Sequence, residues 1–246
     1  MESIPNSEFL SPNSATKWRL IPSSCVPTTG QMAYDQELFK GFSPDHPPLL
    51  RFFFFERPTL TLGRLEARRL NLNQLPYSHE IRPTGGRMVL HGENDLCYSI
   101  TASVKDPLVG GELLESYGKI SGLLTYALRG LGREVRLSGE RHPGQGKGHC
   151  FSSPSFAELT LNGKKVAGGA QAREGGVFQQ QGVLLLSVSP EWKNLFPEME
   201  NGAMAGLNDD PSLVPLGRED LERSIMAAFE EAGVVFVNHF VPALKV

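Results

Sequence analysis

The chain has 246 residues, 40% of them hydrophobic and 21% charged, which is enough apolar material for a core of ordinary size. A net charge of −3 argues against general nucleic-acid binding, because that function needs a concentrated positive surface. No apolar run approaches the ~20 residues that cross a bilayer, and the N-terminus lacks the basic and apolar regions of a signal peptide. We therefore expect a cytoplasmic protein with neither a membrane nor a nucleic-acid partner.

The predicted elements begin after residues 1–16, which are rich in Ser, Pro and Asn and are expected to form a disordered tail. Strands are expected at 18–21, 50–55, 59–62, 88–90, 96–104, 135–137, 157–161, 164–167 and 177–188. Helices are expected at 32–39 (with a cap from residues 28–30), 112–130 and 219–232, while 190–217 reads as irregular. Because strands and helices mix without regular alternation, we predict an α+β fold with a mixed sheet, in a single domain over 17–246.

The cysteines and histidines bear on redox state and metal binding. Cys25, Cys97 and Cys150 have unrelated spacings, which predicts free thiols rather than a disulfide framework or a CxxC pair. His142 and His149 with Cys150 resemble part of a metal site, but no fourth ligand is suitably spaced and zinc would silence a nucleophilic thiol. We expect no metal and no cofactor.

The stretch from His149 to Gln171 carries the clearest local signal, a β-hairpin. Residues 157–161 alternate between apolar and polar, and Asn162-Gly163 is the strongest two-residue turn signal. With a two-residue turn, Lys165 pairs with Thr160 and points to the face opposite the apolar residues of the hairpin. Strand geometry would then hold this ammonium in place.

Three features around the hairpin together favour acyl transfer. Cys150 follows a Gly-rich loop at 138–148, and a nearby cation such as Lys165 would activate its thiol as a nucleophile. The backbone amides of Gly168, Gly169 and Ala170 carry little side-chain cover, so a substrate carbonyl can approach them closely. The ordinary alternatives are a buried structural cysteine and a solvated lysine on a strand face. Those readings suit Cys97 and Lys164 well.

A second glycine-rich segment spans 82–87. It matches neither the phosphate-binding P-loop nor the dinucleotide fingerprint. It is either a tight turn or the wall of a ligand site, with Arg82 and Arg87 available to an anion. His91 reads equally well as a structural histidine or as a site residue.

Three segments in order resemble the biotin/lipoate protein ligase and octanoyltransferase superfamily: Arg-Pro-Thr-Gly-Gly-Arg-Met-Val-Leu-His from Arg82, Cys150-Phe151, and Lys-Val-Ala-Gly-Gly-Ala-Gln from Lys165. The Cys-Phe pair before the hairpin is similar to the cysteine-dependent octanoyltransferases of lipoate synthesis. The resemblance implies a largely antiparallel mixed sheet flanked by helices. It also implies an acyl-thioester on Cys150 with Lys165 beside it. The acyl pocket would be lined by residues of the first segment: Arg82, Thr84, Gly85, Gly86, Arg87 and His91.

The sequence departs from the family pattern in two places. Gly169 stands where the family commonly has Ser, which removes a hydroxyl. Gly92 follows His91 where an aspartate is common, with Glu93 and Asp95 as stand-ins.

The resemblance implies transfer of an octanoyl group from acyl carrier protein to the lysine of a lipoyl-type domain, such as the glycine-cleavage H protein. Amides of 168–170 would hold the oxyanion, and Arg64, Arg68 and Arg69 would dock acidic partners. Three alternatives stay open. They are an ATP-dependent lipoate–protein ligase, an amidotransferase from H protein to 2-oxoacid dehydrogenase lipoyl domains, and a silent acyl-carrier-binding protein.

Overall fold

A computed structural model of the chain describes residues 15–25, 29–138, 157–195 and 203–238. Of the expected tail, 1–14 lie outside the described residues, and Thr16 already begins the first strand. The strands, in chain order, are β1 (Thr16–Ile21), β2 (Leu49–Phe53), β3 (Thr59–Gly63), β4 (Ser78–Arg82), β5 (Val89–His91), β6 (Leu96–Ser103), β7 (Val135–Leu137), β8 (Leu159–Leu161), β9 (Lys164–Lys165), β10 (Ala167–Glu174), β11 (Val177–Leu184) and β12 (Val234–Asn238). The α-helices are α1 (Gln31–Lys40), α2 (Arg64–Ala67), α3 (Leu113–Gly130), α4 (Glu191–Leu195) and α5 (Arg218–Glu231).

The main sheet has six strands in the order β10-β11-β6-β2-β1-β12. The pairings from β10 across to β2 are antiparallel, and those of β1 with β2 and with β12 are parallel. The prediction of a mixed, largely antiparallel sheet flanked by helices is therefore confirmed. Two three-stranded sheets, β4-β3-β5 and β7-β8-β9, complete the fold.

The two faces of the main sheet pack against different layers. One face carries the larger core, in which Ile120, Leu124 and Leu128 of α3 meet Ile225 and Phe229 of α5. The other face packs against the β4-β3-β5 sheet, and this second core joins Phe53, Cys97 and Val183 of the main sheet with Leu60 and Leu90 of the small one. His91 ends β5 of the small sheet on this second face, whereas the apolar residues of the β8-β9 hairpin pack into the larger core. Within the described ranges, no helix combines the length and apolar character needed to cross a bilayer.

The structure adds elements that sequence patterns did not predict. β12 follows α5 and pairs with β1, and α4 interrupts the stretch at 190–217. The N-cap of α1 is Gly30, without a side-chain cap from its own segment. Instead the Glu80 carboxylate accepts hydrogen bonds from the amides of Gly30 and Met32, at 3.0 and 2.7 Å. The expected local cap is thus replaced by a side chain from β4, which satisfies the same orphan amides.

Candidate functional site

The hairpin has the predicted geometry. Asn162 and Gly163 have φ of 51° and 77°, the left-handed values that a two-residue hairpin turn requires. Thr160 pairs with Lys165, as predicted. Lys165 is only 1% exposed, whereas the neighbouring Lys164 is exposed. The ammonium of Lys165 is therefore held inside the protein.

Both the backbone and the side chain of Lys165 are held in place. Its amide donates to the carbonyl of Ala203 at 3.1 Å, and its carbonyl accepts from the amide of Ala205 at 3.0 Å. Its Nζ lies 2.7 Å from Oε1 of Glu158. A buried ammonium needs such a partner, because desolvation of an isolated charge is costly.

Gly168 makes room for this lysine. A Cβ at position 168 would stand 3.0 Å from Cε and 3.2 Å from Nζ of Lys165, and 3.5 Å from Oε1 of Glu158. The absence of a side chain thus allows the buried ion pair to lie against the β10 backbone.

Strand register places two of the predicted amide positions on the face of the second core. Gly168 pairs with Val183, which pairs with Cys97. Ala170, two residues after Gly168 on the same strand, pairs with Gln181, so the Ala170 side chain points to that same face. Gly169 lies between them and faces the other way.

The position where the family commonly has Ser therefore points away from Lys165. A Cβ on Gly169 would lie 3.4 Å from Nε2 of Gln180 and 3.7 Å from the hydroxyl of Tyr98. Gln180 already donates to that hydroxyl at 3.0 Å. A serine hydroxyl here would join this side-chain pair on the α3 side of the sheet, not the ion pair.

The glycine-rich loop 82–87 lies over the same face as Gly168 and Ala170. Thr84 is fully buried, and its hydroxyl donates to Oε1 of Gln181 at 2.8 Å. Because Gln181 pairs with Ala170, this bond connects the loop to the part of the main sheet that contains Ala170. Gly63 is packed so closely under the loop that a Cβ there would overlap the carbonyl of Gly86. Gly85 and Gly86 are exposed.

Arg82 is placed differently from the expectation that its guanidinium is available to an anion. It is 6% exposed, and it donates to the carbonyl and hydroxyl oxygens of Thr61 at 2.7 Å each. It also donates to the carbonyls of Gly85 and Arg87, at 3.0 and 2.8 Å. These bonds make Arg82 the residue that shapes the loop. Contact between Arg82 and a substrate stays a prediction, as does that of the half-buried Arg87.

His91 is buried between two sheets. Its Nε2 lies 2.7 Å from the hydroxyl of Thr61, its Nδ1 lies 3.3 Å from Sγ of Cys97, and its ring lies 4.8 Å from that of Phe55. Burial, with a smaller contribution from the Arg82 charge, lowers the pKa of His91 to about 3. The ring is therefore neutral at physiological pH, and it supports the loop side of the site.

Cys97 is a structural cysteine, as expected. It is buried as a free thiol in the second core, and burial raises its pKa well above the ordinary value. A thiol of that kind is a poor nucleophile.

Thr84 and His91 contact the second-core face of the main sheet through Gln181 and Cys97. Gly168 and Ala170 lie on that same face, and Lys165 lies against Gly168. Cys150 lies outside the described residues, as do His142, His149 and nearly all of the expected loop at 138–148. No group of three metal-ligating side chains occurs among the described residues. The expectation that the protein uses neither metal nor cofactor stays a prediction.

Two residues of the site were missed by sequence reasoning. Glu158 lies two positions before Thr160, just ahead of β8, so continuing the alternation that placed Lys165 also puts this carboxylate on its side. That signal was present in the sequence. Gln181 is 97 residues from Thr84, and no local pattern indicates that they meet.

Comparison with known proteins gives consistent matches. The lipoyl protein ligase A/B catalytic domain matches residues 27–203 of the chain. The octanoyltransferase LipM of Carboxydothermus hydrogenoformans is 37% identical over 177 residues, which is 70% of this chain and 65% of that protein. LipM of Bacillus subtilis is 32% identical over 187 residues, which is 71% of this chain and 67% of that protein. The matched region is about two thirds of the length of these relatives.

Solved structures share the fold. Lipoate-protein ligase A bound with ATP superposes with a TM-score of 0.70 at 20% identity, covering 92% of this chain and 90% of that one. A bi-partite lipoate protein ligase from Thermoplasma acidophilum gives 0.66 at 17% identity, covering 94% and 89%. At such low identity the likeness establishes the fold expected from the superfamily resemblance.

Proposed function

The chain belongs to the lipoyl protein ligase A/B catalytic-domain family, and from that premise we propose that it is an octanoyltransferase. It moves an octanoyl group from octanoyl-acyl carrier protein, through a thioester on Cys150, to the lysine of a lipoyl-type domain. The similarity to octanoyltransferases named LipM, at 32–37% identity, supports this activity. The structural observation that carries it is the buried ammonium of Lys165 against the bare backbone of Gly168.

The proposed chemistry has two steps. The Cys150 thiolate attacks the octanoyl thioester, the carbonyl carbon gains the Cys150 sulfur, and the carrier thiolate leaves. The amine of the acceptor lysine then attacks the acyl-enzyme, and the C–S bond to Cys150 breaks. Amides of 168–170 stabilise the oxyanion of each step. Because the donor is already a thioester, ATP is not needed.

Lys165 serves both steps as a fixed cation. A positive charge close to a thiol favours its thiolate form, and a desolvated site strengthens that effect. In the second step Lys165 gives a proton to the departing sulfur and receives one from the acceptor nitrogen. Both roles need an ammonium whose position is set by the strand, as it is here.

The partners are octanoyl-acyl carrier protein as donor and the glycine-cleavage H protein or another lipoyl domain as acceptor. Arg64 lies in α2, directly after the Gly63 that packs under the loop, and Arg68 and Arg69 follow it. All three are exposed. A basic surface beside the loop suits acidic carrier and lipoyl domains, because complementary charge speeds association.

The deciding experiment is intact-mass measurement after mixing with octanoyl-acyl carrier protein in the absence of ATP. The parent protein is expected to gain one octanoyl group. Cys150→Ser is expected to gain none within the time in which the parent forms its thioester. Cys97→Ser is the matched control and should acylate like the parent. A Cys150→Ser protein that modifies a lipoyl domain at the parent rate would overturn the proposal. An ATP requirement for the parent would identify a ligase instead.

A further inference from the structure

Glu158 contacts Lys165 directly but has no role in the two reaction steps described above. We propose that Glu158 is a positioning residue, which keeps the Lys165 ammonium aimed at the Gly168 end of β10. This inference rests on the proposed function, in which that ammonium serves both steps.

The Glu158–Lys165 contact is a buried ion pair rather than a surface one. Oε1 lies 2.7 Å from Nζ, and the side chains are 14% and 1% exposed. Charge-assisted hydrogen bonds in such surroundings are stronger than those in water, while the ammonium alone would carry a large desolvation penalty. Removal of the carboxylate therefore takes away the charged partner that holds the Lys165 side chain in place.

The protein scaffold holds both partners. The Glu158 carbonyl accepts from the amide of Ser138 at 2.8 Å, and the adjacent amide of Ala157 donates back to Ser138 at 3.0 Å. On the other strand, the Lys165 backbone is bonded to Ala203 and Ala205. The separation of the two charges is thus set by backbone contacts on both sides, which reduces the entropy cost that weakens flexible pairs.

Among the described residues, the Glu158 charge acts on two phenols, those of Tyr98 in β6 and Tyr117 in α3. Burial raises the pKa of Tyr98 to about 12 and also raises that of Tyr117, and the Glu158 charge adds to both shifts. Both phenols are therefore neutral across the working pH range. Neither phenol therefore adds a second negative charge beside the ion pair.

The role of Glu158 leaves the proton balance of the reaction unchanged. When the acceptor amine attacks and the C–S bond breaks, one proton leaves the nitrogen and one reaches the sulfur, and Lys165 is an ammonium before and after. The effect of Glu158 is to hold the Lys165 side chain in place while these protons move.

The test is the pH dependence of octanoyl-enzyme formation, followed by intact mass in single turnover for the parent and Glu158→Gln. We expect the glutamine variant to acylate about 10- to 100-fold more slowly at neutral pH. Its alkaline limb should move down by about 1 to 2 pH units, because hydrogen bonds to charged groups contribute about that much. Glu158→Asp, which keeps the charge, should lie between the two.

Glu174→Gln is the matched control, since it makes the same charge change at an exposed position of β10. It should leave both rate and profile unchanged. A Glu158→Gln profile that superimposes on that of the parent overturns the inference, and so does a slower rate with an unmoved alkaline limb, which marks a structural role. If the glutamine variant does not fold, the position of the alkaline limb in the pH profile of the aspartate variant tests the inference. Absence of an octanoyl adduct on the parent itself rejects the proposed function, which distinguishes the two failures.

Discussion

The side chain of Lys165 occupies the space beside Gly168 that a larger residue would need: a Cβ at position 168 would stand 3.0 Å from the lysine Cε. Gly168→Ala should therefore push the flexible end of Lys165 aside by a few tenths of an ångström without unfolding the protein. Displacement of a fixed catalytic cation commonly costs about 10- to 100-fold in rate. We expect a loss of that size in octanoyl-enzyme formation, measured by intact mass in single turnover.

The matched control is Gly118→Ala in α3, where no atom lies within 4 Å of the added Cβ. This variant should keep full activity and gain about 0.5–1 kcal/mol of stability from reduced helix entropy cost. Equal rates for Gly168→Ala and the parent would show that the Lys165 position does not limit acylation.

The buried hydroxyl of Thr84 should contribute measurably to folding. Thr84→Val keeps the shape but removes the donor to Oε1 of Gln181, which then lies buried with one bond fewer. A lost bond of this kind costs about 1–3 kcal/mol in the free energy of unfolding. Urea denaturation measures that change, and the Michaelis constant for the octanoyl donor should rise because the loop is less firmly held.

Thr84→Ser provides the comparison, since it keeps the hydroxyl and loses only a methyl group. It should retain most of the stability and the donor affinity. If the valine and serine variants are equally destabilised, the hydrogen bond to Gln181 is not the cause.

His91 and Asp95 should affect pH stability in opposite directions. Burial lowers the pKa of His91 to about 3 and raises that of Asp95 to about 7. Between about pH 3 and 6.5 the unfolded state holds the His91 proton that the native state lacks, so this group makes stability rise with pH. Between about pH 4 and 7 the native state holds the Asp95 proton that the unfolded state has lost, so stability falls. Each slope is about 1.4 kcal/mol per pH unit.

Urea unfolding at a series of pH values separates the two groups. Relative to the parent, His91→Gln should lose the rising contribution, and Asp95→Asn should lose the falling one. The two difference curves then have opposite signs over the shared window. Parallel stability curves for the parent and both variants would contradict the pKa shifts.

The basic surface formed by Arg64, Arg68 and Arg69 should govern carrier binding. Reversal of all three to Glu is expected to lower affinity for octanoyl-acyl carrier protein about tenfold or more at low salt, with a smaller loss at high salt because of screening. Titration at two ionic strengths measures both. The control reverses Lys105, Arg136 and Arg223, exposed residues that make the same change in net charge. Unchanged low-salt affinity after reversal of the three arginines would reject the docking surface.

The hairpin and its lysine were predictable from local rules. Asn162-Gly163 accepts the positive φ of a two-residue turn, and that turn fixes the pairing of Thr160 with Lys165. Because side chains alternate between the two faces of a strand, this pairing also fixes the face to which Lys165 points. The order of the family segments indicated the superfamily, and the matched family agrees with that indication.

Contacts between distant segments belonged to the tertiary structure alone. Glu80 caps α1 from β4, β12 joins β1 from the other end of the chain, and Thr84 reaches Gln181 across 97 residues. Such pairs produce no periodic pattern in the sequence, because the two partners lie in segments far apart along the chain and neither segment indicates the other. Burial of Lys165 is of the same kind: local spacing determined its direction, and the segment around Ala203 and Ala205 decided that the direction was inward.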